Sequence, residues 1–433
     1  MAGAVIVLLS GCRTRATTSE PGSRDDLAPA ARHEPAPARD ATPPPAFAQL
    51  TEAIALPLDG SLWLCADGRV RRWSWTPTSV SFDAACTRGL RVSADGRTVL
   101  TASEQRLWVH DTEVDEPPRA VALALAPDDH VVDLALSATG RQAAVITESG
   151  LVKTVDVETG RTRTVQVANR VGSVRSSTDD STFARLRIAR DVAPPRLAWS
   201  GDGTTLALVA AVRDIEAETM RGRVFTWHAD AVSARASEPF EVLDRRARGH
   251  LTVAASPTED RFVVGSGDGA VHLFDRHRLV WSSVAASAPP VSFGFAADAQ
   301  RFAVAYADGA VRIFGPIGTA DALELWPDVG DLLSVAFSAD GDKLVLTVDS
   351  GPVALVDARN GEVLARMAVL ARGWVVVSAA GAVEGTDAGL EALADPRVAD
   401  LLGWDRDHLP RAHRSPGLLA GLLAAGSTRS EAP

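Results

Sequence analysis

The residues of this chain that could do chemistry are few and scattered. Its nine histidines include His272 and His277, which stand beside none of the cysteine or carboxylate arrangements that a zinc site requires. We expect both to be solvated surface residues. Acidic turns such as the one at Asp340 lack the alternating ligands and closing Glu of an EF-hand loop. The sequence also lacks a Walker-type phosphate loop and a Gly-x-Ser-x-Gly nucleophile turn. It therefore predicts no catalytic residue, no metal ligand and no cofactor.

The start of the chain predicts a lipid attachment point. A short apolar stretch ends in Leu9-Ser10-Gly11-Cys12, which resembles the bacterial lipobox, and polar sequence follows at once. Residues 1–12 are then a lipoprotein signal peptide, and Cys12 receives the lipid and anchors the protein in the cell envelope, at the outer membrane or facing the periplasm. No Lys or Arg precedes Cys12, although signal peptides normally begin with positive charge. The alternative is a chance cysteine after a short apolar stretch.

Residues 13–46 predict a disordered tether. This segment is rich in Pro and Ala and has a single large aliphatic residue, Leu27. Such a composition buries too little apolar surface to offset the entropy lost when a chain becomes ordered. A spacer behind a lipidated cysteine would hold a folded domain away from a membrane surface.

The elements that would position any site are predicted by a recurring phrase, an apolar run that ends in a small-residue turn. Val92-Ser93-Ala94-Asp95-Gly96 is one copy, and each copy is followed by a second apolar run, a second turn and a third run. Seven such first turns occur between residues 47 and 372, at Gly60, Gly96, Gly140, Gly203, Asp260, Asp298 and Gly341. Two long steps between turns require insertions, at 169–193 and 213–222, and we expect a long outer loop or hairpin for each.

Burial on both faces of these short strands predicts a β-propeller. In the fifth unit Leu251, Val253 and Ala255 alternate with Thr252 and Ala254, so neither face of the strand is polar enough for solvent. A propeller blade meets this condition because it packs between two neighbours. We therefore predict an all-β, seven-bladed β-propeller over residues 47–386. A strand after residue 372 is expected to close the ring, and residues 387–433 are expected to form a short helical C-terminal tail.

The fifth unit resembles the WD40 family of propellers. It has Gly249-His250 at its start, Ser266 in the second strand, Asp268 in the turn, and Phe274-Asp275 where the family has Trp-Asp. The resemblance implies a buried structural relay of His250, Ser266 and Asp268, in which Phe274 cannot supply the fourth hydrogen bond. Two segments, 155–160 and 356–364, are instead similar to quinoprotein-like repeats. They lack the docking Trp of those repeats, so WD40 is preferred.

Two further cysteines, Cys65 and Cys86, lie in the first unit. In an exported protein they could form a disulfide. Against this, the second and fourth strands of a blade are separated by the third, which puts strand centres about 9.5 Å apart. The sequence leaves the pairing open.

Composition and motifs together predict a binding protein. The formal net charge of −11 and the absence of a block of adjacent cations argue against a nucleic-acid partner. We predict a non-catalytic, lipid-anchored propeller that serves as a protein–protein interaction scaffold in the cell envelope, with unknown protein partners bound by its loops. The alternatives are a propeller enzyme or a small-ligand or metal binder that uses the central channel, and a sensor or regulatory propeller.

Overall fold

Short, mostly antiparallel strands make up most of the residues that the computed structural model describes, as the apolar runs between Gly and Asp turns predict. The structure describes residues 50–404 and 413–424, except for 56–61, 67–68, 74–79, 86–88, 104, 115, 166–185, 189–192, 215–218, 229–234, 238, 241–250, 316–321, 339, 349–350 and 371–372. All of them belong to one compact unit, Pro44–Pro433. The predicted signal peptide and tether lie outside the described residues.

The strands form seven sheets, each built from strands that follow one another in the chain. The first sheet contains β1 (Leu50–Ala55), β2 (Leu62–Ala66), β3 (Arg69–Trp73) and β4 (Val80–Ala85). The second contains β5 (Leu90–Val92), β6 (Thr98–Ala102), β7 (Arg106–Asp111) and β8 (Arg119–Ala122). The third contains β9 (Val131–Leu136), β10 (Gln142–Thr147), β11 (Val152–Asp156) and β12 (Thr162–Val165). The fourth contains β13 (Leu186–Ile188), β14 (Arg196–Trp199), β15 (Thr205–Asp214), β16 (Thr219–His228) and β17 (Arg235–Ala236). The fifth and sixth contain β18 (Leu251–Ala255), β19 (Arg261–Ser266), β20 (Val271–Asp275) and β21 (Arg278–Ser282), and β22 (Pro290–Phe295), β23 (Phe302–Tyr306), β24 (Val311–Phe314) and β25 (Ala322–Leu325). The seventh contains β26 (Leu332–Phe337), β27 (Lys343–Val348), β28 (Val353–Asp357), β29 (Val363–Leu370), β30 (Gly373–Ser378), β31 (Ala382–Gly385) and β32 (His413–Arg414).

This arrangement confirms the predicted all-β propeller, but it has six separate blades rather than the predicted seven. The first strands of the sheets lie side by side, and β1 contacts both β5 and β26, so the order returns to its start. Six sheets have four or five strands and form separate blades. The last predicted repeat does not form a seventh separate blade, because β26–β29 continue into β30, β31 and β32.

The core lies between neighbouring sheets, as burial on both faces of each strand requires. Phe262, Val263 and Val264 follow one another in β19 and are all fully buried. Between the third and fourth sheets, Ile146 of β10 and Leu208 of β15 belong to one buried cluster. Each blade is thus held by apolar contacts with the next, and the inner strands are fixed relative to one another.

The turn between the first two strands of a unit requires a left-handed residue. Gly96, Gly140, Gly203 and Gly341 have φ angles of 71°, 70°, 71° and 71° in this turn, a region that glycine enters without a Cβ clash. In the sixth unit Ala299 takes the same place with φ of 56°. The recurring glycine of the phrase is therefore a requirement of the turn.

The C-terminal region differs from the prediction in one respect. The strand after residue 372, β30, pairs with β29 of its own sheet rather than closing the first blade. The reason is local, since Leu370 and Gly373 pair across a tight connection and start a hairpin. The expected helices are present as α1 (Asp387–Ala392), α2 (Pro396–Leu402) and α3 (Leu418–Ala424), and α1 contacts β30 while α2 contacts β29.

Candidate ligand channel and the predicted site residues

The Ser and Asp of the recurring phrase hydrogen-bond to each other and build the turn. In the last repeat the Ser338 hydroxyl donates to Asp340 at 2.5 Å and accepts the Lys343 N–H at 3.0 Å. The same pattern occurs at Ser93 and Ser200. Burial raises the pKa of Asp340, but hydrogen bonds from Ser338 and the Asp342 N–H and the nearby Lys343 outweigh it and lower the pKa overall. These residues are structural.

In the fifth unit, two members of the predicted relay are hydrogen-bonded to each other, and the role of its histidine, His250, stays a prediction. His250 lies outside the described residues. The Ser266 hydroxyl donates to Asp268 at 2.5 Å, and its oxygen lies 3.2 Å from Nε2 of His272. Nδ1 of His272 lies 2.9 Å from the Ser282 hydroxyl. Because Ser266 donates to the carboxylate, it accepts from Nε2–H, and Nδ1 accepts from Ser282.

His272 corrects the expectation that it is a solvated surface residue. It is 7% exposed, and burial lowers its pKa, so it is neutral in the fold at pH 7. Its ring packs 4.9 Å from that of Phe240. Phe274 is fully buried beside the same Phe240 ring. The burial of His272 beside Phe274 could have been predicted from the sequence, since the two residues are two positions apart and therefore share one face of a strand.

The first unit places one of the predicted cysteines in a disulfide. Cys65 is fully buried and disulfide-bonded. Cys86, which the sequence offers as its partner, lies outside the described residues, as does Cys12. The pairing of Cys65 with Cys86 and the lipidation of Cys12 therefore stay predictions.

The inner strands enclose a cavity of about 500 Å³. It is lined by residues of β5, β9, β14, β18, β22 and β26. Two residues before the turn position occupied by Ser93, the inner strands carry small residues: Ala135, Ala198, Ala254, Gly294 and Ala336. Gly294 shows why, since a Cβ there would lie 2.7 Å from the Val335 carbonyl oxygen of the neighbouring strand. Small residues thus let neighbouring inner strands approach each other closely.

Arg91 is the exception at this level, and it takes part in a charged cluster. Its Nη2 donates to Oδ1 of Asp133 at 3.1 Å. Asp133 is 3% exposed and also accepts the Leu197 N–H at 2.8 Å. Arg196 approaches the same Oδ1 at 4.0 Å, which is an ion pair too long for a hydrogen bond. Sequence reasoning missed this cluster because its members belong to three different repeats and meet only when the neighbouring inner strands β5, β9 and β14 pack together.

The fourth sheet also departs from the four-stranded repeat. β15 and β16 each have ten residues and pair along their whole length, which confirms a hairpin for the insertion at 213–222. β15 is four residues longer than β10, or about 13 Å of additional strand. β13, at the end of the other insertion, pairs with this extension from Leu186↔Asp214 to Ile188↔Val212. We call β13 with residues 211–214 and 219–222 the arm.

The base of the arm is firmly packed. Ala211 and Val212 are buried while Arg213 is exposed. Phe240 hydrogen-bonds through its backbone to Gly222, and a Cβ on Gly222 would meet the Phe240 ring at 2.2 Å. The arm extends the sheet beyond the Arg196 end of β14, because Arg196 pairs with Val209, two residues before the arm begins.

The described residues contain neither a metal-binding cluster nor a helix that could span a membrane, and the comparisons with known proteins find no match. Among the residues that the structure describes, no group of three or more His, Cys, Asp or Glu side chains is placed to hold a metal ion. Within the same residues, every helix is too short or too polar to cross a membrane. Comparison with protein-family models finds no match, and comparison with curated proteins finds no relative.

Proposed function

We propose that this chain is an exported, lipid-anchored β-propeller of WD40 type that acts without catalysis as a protein-interaction scaffold in the cell envelope. The propeller fold supports a scaffold in general, because rigid blades hold binding loops in fixed relative positions. The arm carries the proposal, since it is the feature that the packing of the repeats does not require.

The physical form of the arm suits partner binding. Its base is anchored by buried residues on both faces, since Ala211 and Val212 belong to two different buried clusters. Beyond this base, Arg213 is exposed. A preorganised projection loses little conformational entropy when a partner binds, so more of the contact energy appears as affinity.

Export is supported by the state of Cys65. Disulfides persist in oxidising compartments such as the bacterial periplasm and are rare in the cytosol. A buried disulfide at Cys65 agrees with the lipobox at Cys12, which is an independent feature of the sequence. The two together favour an envelope location over a cytosolic one.

The test of the scaffold role compares three forms of the full chain in detergent-solubilised envelopes. In the first variant Asn-Gly replaces residues 212–221, joining Ala211 and Gly222, which already pair in the wild type. The control variant is Arg278→Gln, on exposed β21. We expect at least one protein to be recovered with the wild type and with the control variant, but not with the variant that has the shortened arm. Recovery that is independent of the arm, or turnover of a metabolite by the purified wild type, would count against the proposal.

The anchor is tested separately by fractionation. Cys12→Ser is expected to move the protein from the membrane fraction to the soluble fraction, with mass spectrometry of the wild type showing a diacylglycerol on Cys12. If the variant fractionates with membranes as the wild type does, the lipid anchor is wrong, and the interaction role can still be judged by the arm experiment.

A further inference from the structure

The channel carries an arc of polar side chains at a single level. Four residues before the turn position of Ser93, the inner strands β9, β14, β18, β22 and β26 present, in order, Asp133, Arg196, Thr252, Ser292 and Ser334. All five line the 500 Å³ cavity. Since blades pack in sequence order, these side chains follow one another around the wall.

The carboxylate of Asp133 already accepts hydrogen bonds within the protein. Asp133 accepts one hydrogen bond from the Leu197 N–H and one from Arg91, and it is 3% exposed. The Arg196 side chain is 35% exposed, and among the described residues its approach to Asp133 at 4.0 Å is its one polar contact. The Arg196 guanidinium therefore keeps its hydrogen-bond donors directed to the channel and its solvent.

Hydroxyl donors stand next to Arg196 in the arc. The Ser292 oxygen accepts the Val335 N–H at 3.3 Å, which leaves the Ser292 O–H available to donate. Thr252 is partly exposed in the cavity wall. Ser334 is different, because its hydroxyl pairs with that of Thr347 at 2.6 Å. The open polar part of the wall thus runs from Arg196 to Ser292.

The charge of the wall is unbalanced. Arg91, Asp133 and Arg196 are the charged residues among the described residues that line the cavity, so two positive charges face one negative charge. In a concave site with low-dielectric walls, such an excess attracts one negative charge from solution. The planar guanidinium fork of Arg196 matches the two oxygens of a carboxylate.

The rest of the cavity is suited to an organic group. A volume of about 500 Å³ falls in the range of small-molecule sites, roughly 300–1,000 Å³. Apolar side chains from the same inner strands line it beside the arc, among them Val253, Val291 and Phe293. The wall therefore combines one cationic fork, two hydroxyl donors and apolar surface.

We propose that the channel binds a small organic monocarboxylate, held by Arg196 with Thr252 and Ser292 as hydrogen-bond donors. A phosphate group is a poorer match because it carries about 1.5 to 2 negative charges at pH 7. This binding site goes beyond the scaffold role and does not depend on it.

The test uses benzoate as the probe and benzamide as its neutral counterpart of similar shape, titrated against the purified full chain by calorimetry and ligand-observed NMR. We expect benzoate to bind at least about tenfold more tightly than benzamide, and Arg196→Gln to weaken benzoate about tenfold without changing benzamide. Arg278→Gln, which removes an exposed arginine of β21, should leave both affinities unchanged. Thr252→Val should weaken benzoate severalfold.

Each other result overturns the proposal. Absence of saturable benzoate binding up to about 10 mM, equal binding of benzoate and benzamide, or an unchanged affinity in Arg196→Gln would exclude the carboxylate site. Tighter binding of inorganic phosphate than of acetate would exclude the preference for a carboxylate. Equal unfolding midpoints are required of each variant and the wild type, and Thr252→Val retains the test if Arg196→Gln does not fold.

Discussion

Acid sensitivity of the fold follows from the burial of His110 on β7. Its side chain is 4% exposed, and burial lowers the pKa of His110 to about 4 from the ordinary value of 6.5. As the pH falls, the unfolded chain therefore binds a proton at this residue before the folded chain does. Stability is lost between pH 6.5 and about 4, and it is fully present above the upper limit.

The magnitude follows from the difference in pKa. One pKa unit corresponds to about 1.4 kcal/mol. The pKa difference at His110 alone therefore lowers the free energy of unfolding by about 3 kcal/mol once the residue is protonated in both states, and by about 2.5 kcal/mol at pH 4.5. The Asp residues of the turns act lower on the pH scale, because a lowered pKa, as at Asp202 and Asp340, gives stability that is lost only below their ordinary pKa of 3.8. His272, whose pKa is also lowered by burial, adds to the loss in the same direction as His110.

The assay is urea denaturation of wild type and His110→Gln at pH values of about 7.5 and 4.5, with the difference between the two proteins isolating His110. The variant is expected to lose about 2.5 kcal/mol less than the wild type over this interval. His228→Gln, which replaces an exposed imidazole on β16, should lose as much as the wild type. An equal loss in His110→Gln and the wild type would refute the reasoning.

Three further predictions concern the frame of the propeller. Ser338→Ala removes the acceptor of the Lys343 N–H and the donor to Asp340, and urea denaturation should show that the free energy of unfolding falls by about 1–3 kcal/mol. The control, Ser287→Ala, removes an exposed hydrogen bond and should lower the free energy of unfolding by about 0.5 kcal/mol or less. Gly294→Ala places a Cβ 2.7 Å from the Val335 carbonyl oxygen and should lower the free energy of unfolding by about 1–3 kcal/mol. Gly421→Ala in α3 meets nothing within 4 Å and should raise the free energy of unfolding by up to about 1 kcal/mol. If both variants changed stability in the same direction, the close packing around Gly294 would be contradicted. Cys65→Ser should lower the free energy of unfolding by about 2–4 kcal/mol, and alkylation of Cys65 in the unreduced, denatured protein would contradict the disulfide.

Much of the fold could be predicted from the sequence because its determinants are local. The Ser, Asp and Gly of each phrase fix a turn through contacts that span five residues, as at Ser200, Asp202 and Gly203. The alternation of apolar residues sets the strands between turns. The continuation of the last sheet through β30 was missed, because a strand that could pair with either of two edges carries no mark of which one it chooses.

The candidate site could not be predicted, because its residues belong to different sheets and meet only when those sheets pack against one another. Asp133 lies in the third sheet, Arg196 in the fourth and Arg91 in the second, and none has a motif around it. The burial of His272 was also missed, since a lone histidine in an apolar strand resembles a surface residue until Ser266 and Ser282 are placed beside it. Side-chain partners that are distant in sequence are set by tertiary packing.

Site-specific photocrosslinking in living cells tests the central claim that the repeats form a frame and the arm carries the binding function. A photoreactive amino acid is placed at the exposed Arg213 of the arm and, in a separate variant, at the exposed Arg278 of β21. The account predicts a specific adduct with an envelope protein from position 213 and none from position 278. The absence of an adduct at 213, or the same adducts at both positions, would contradict it.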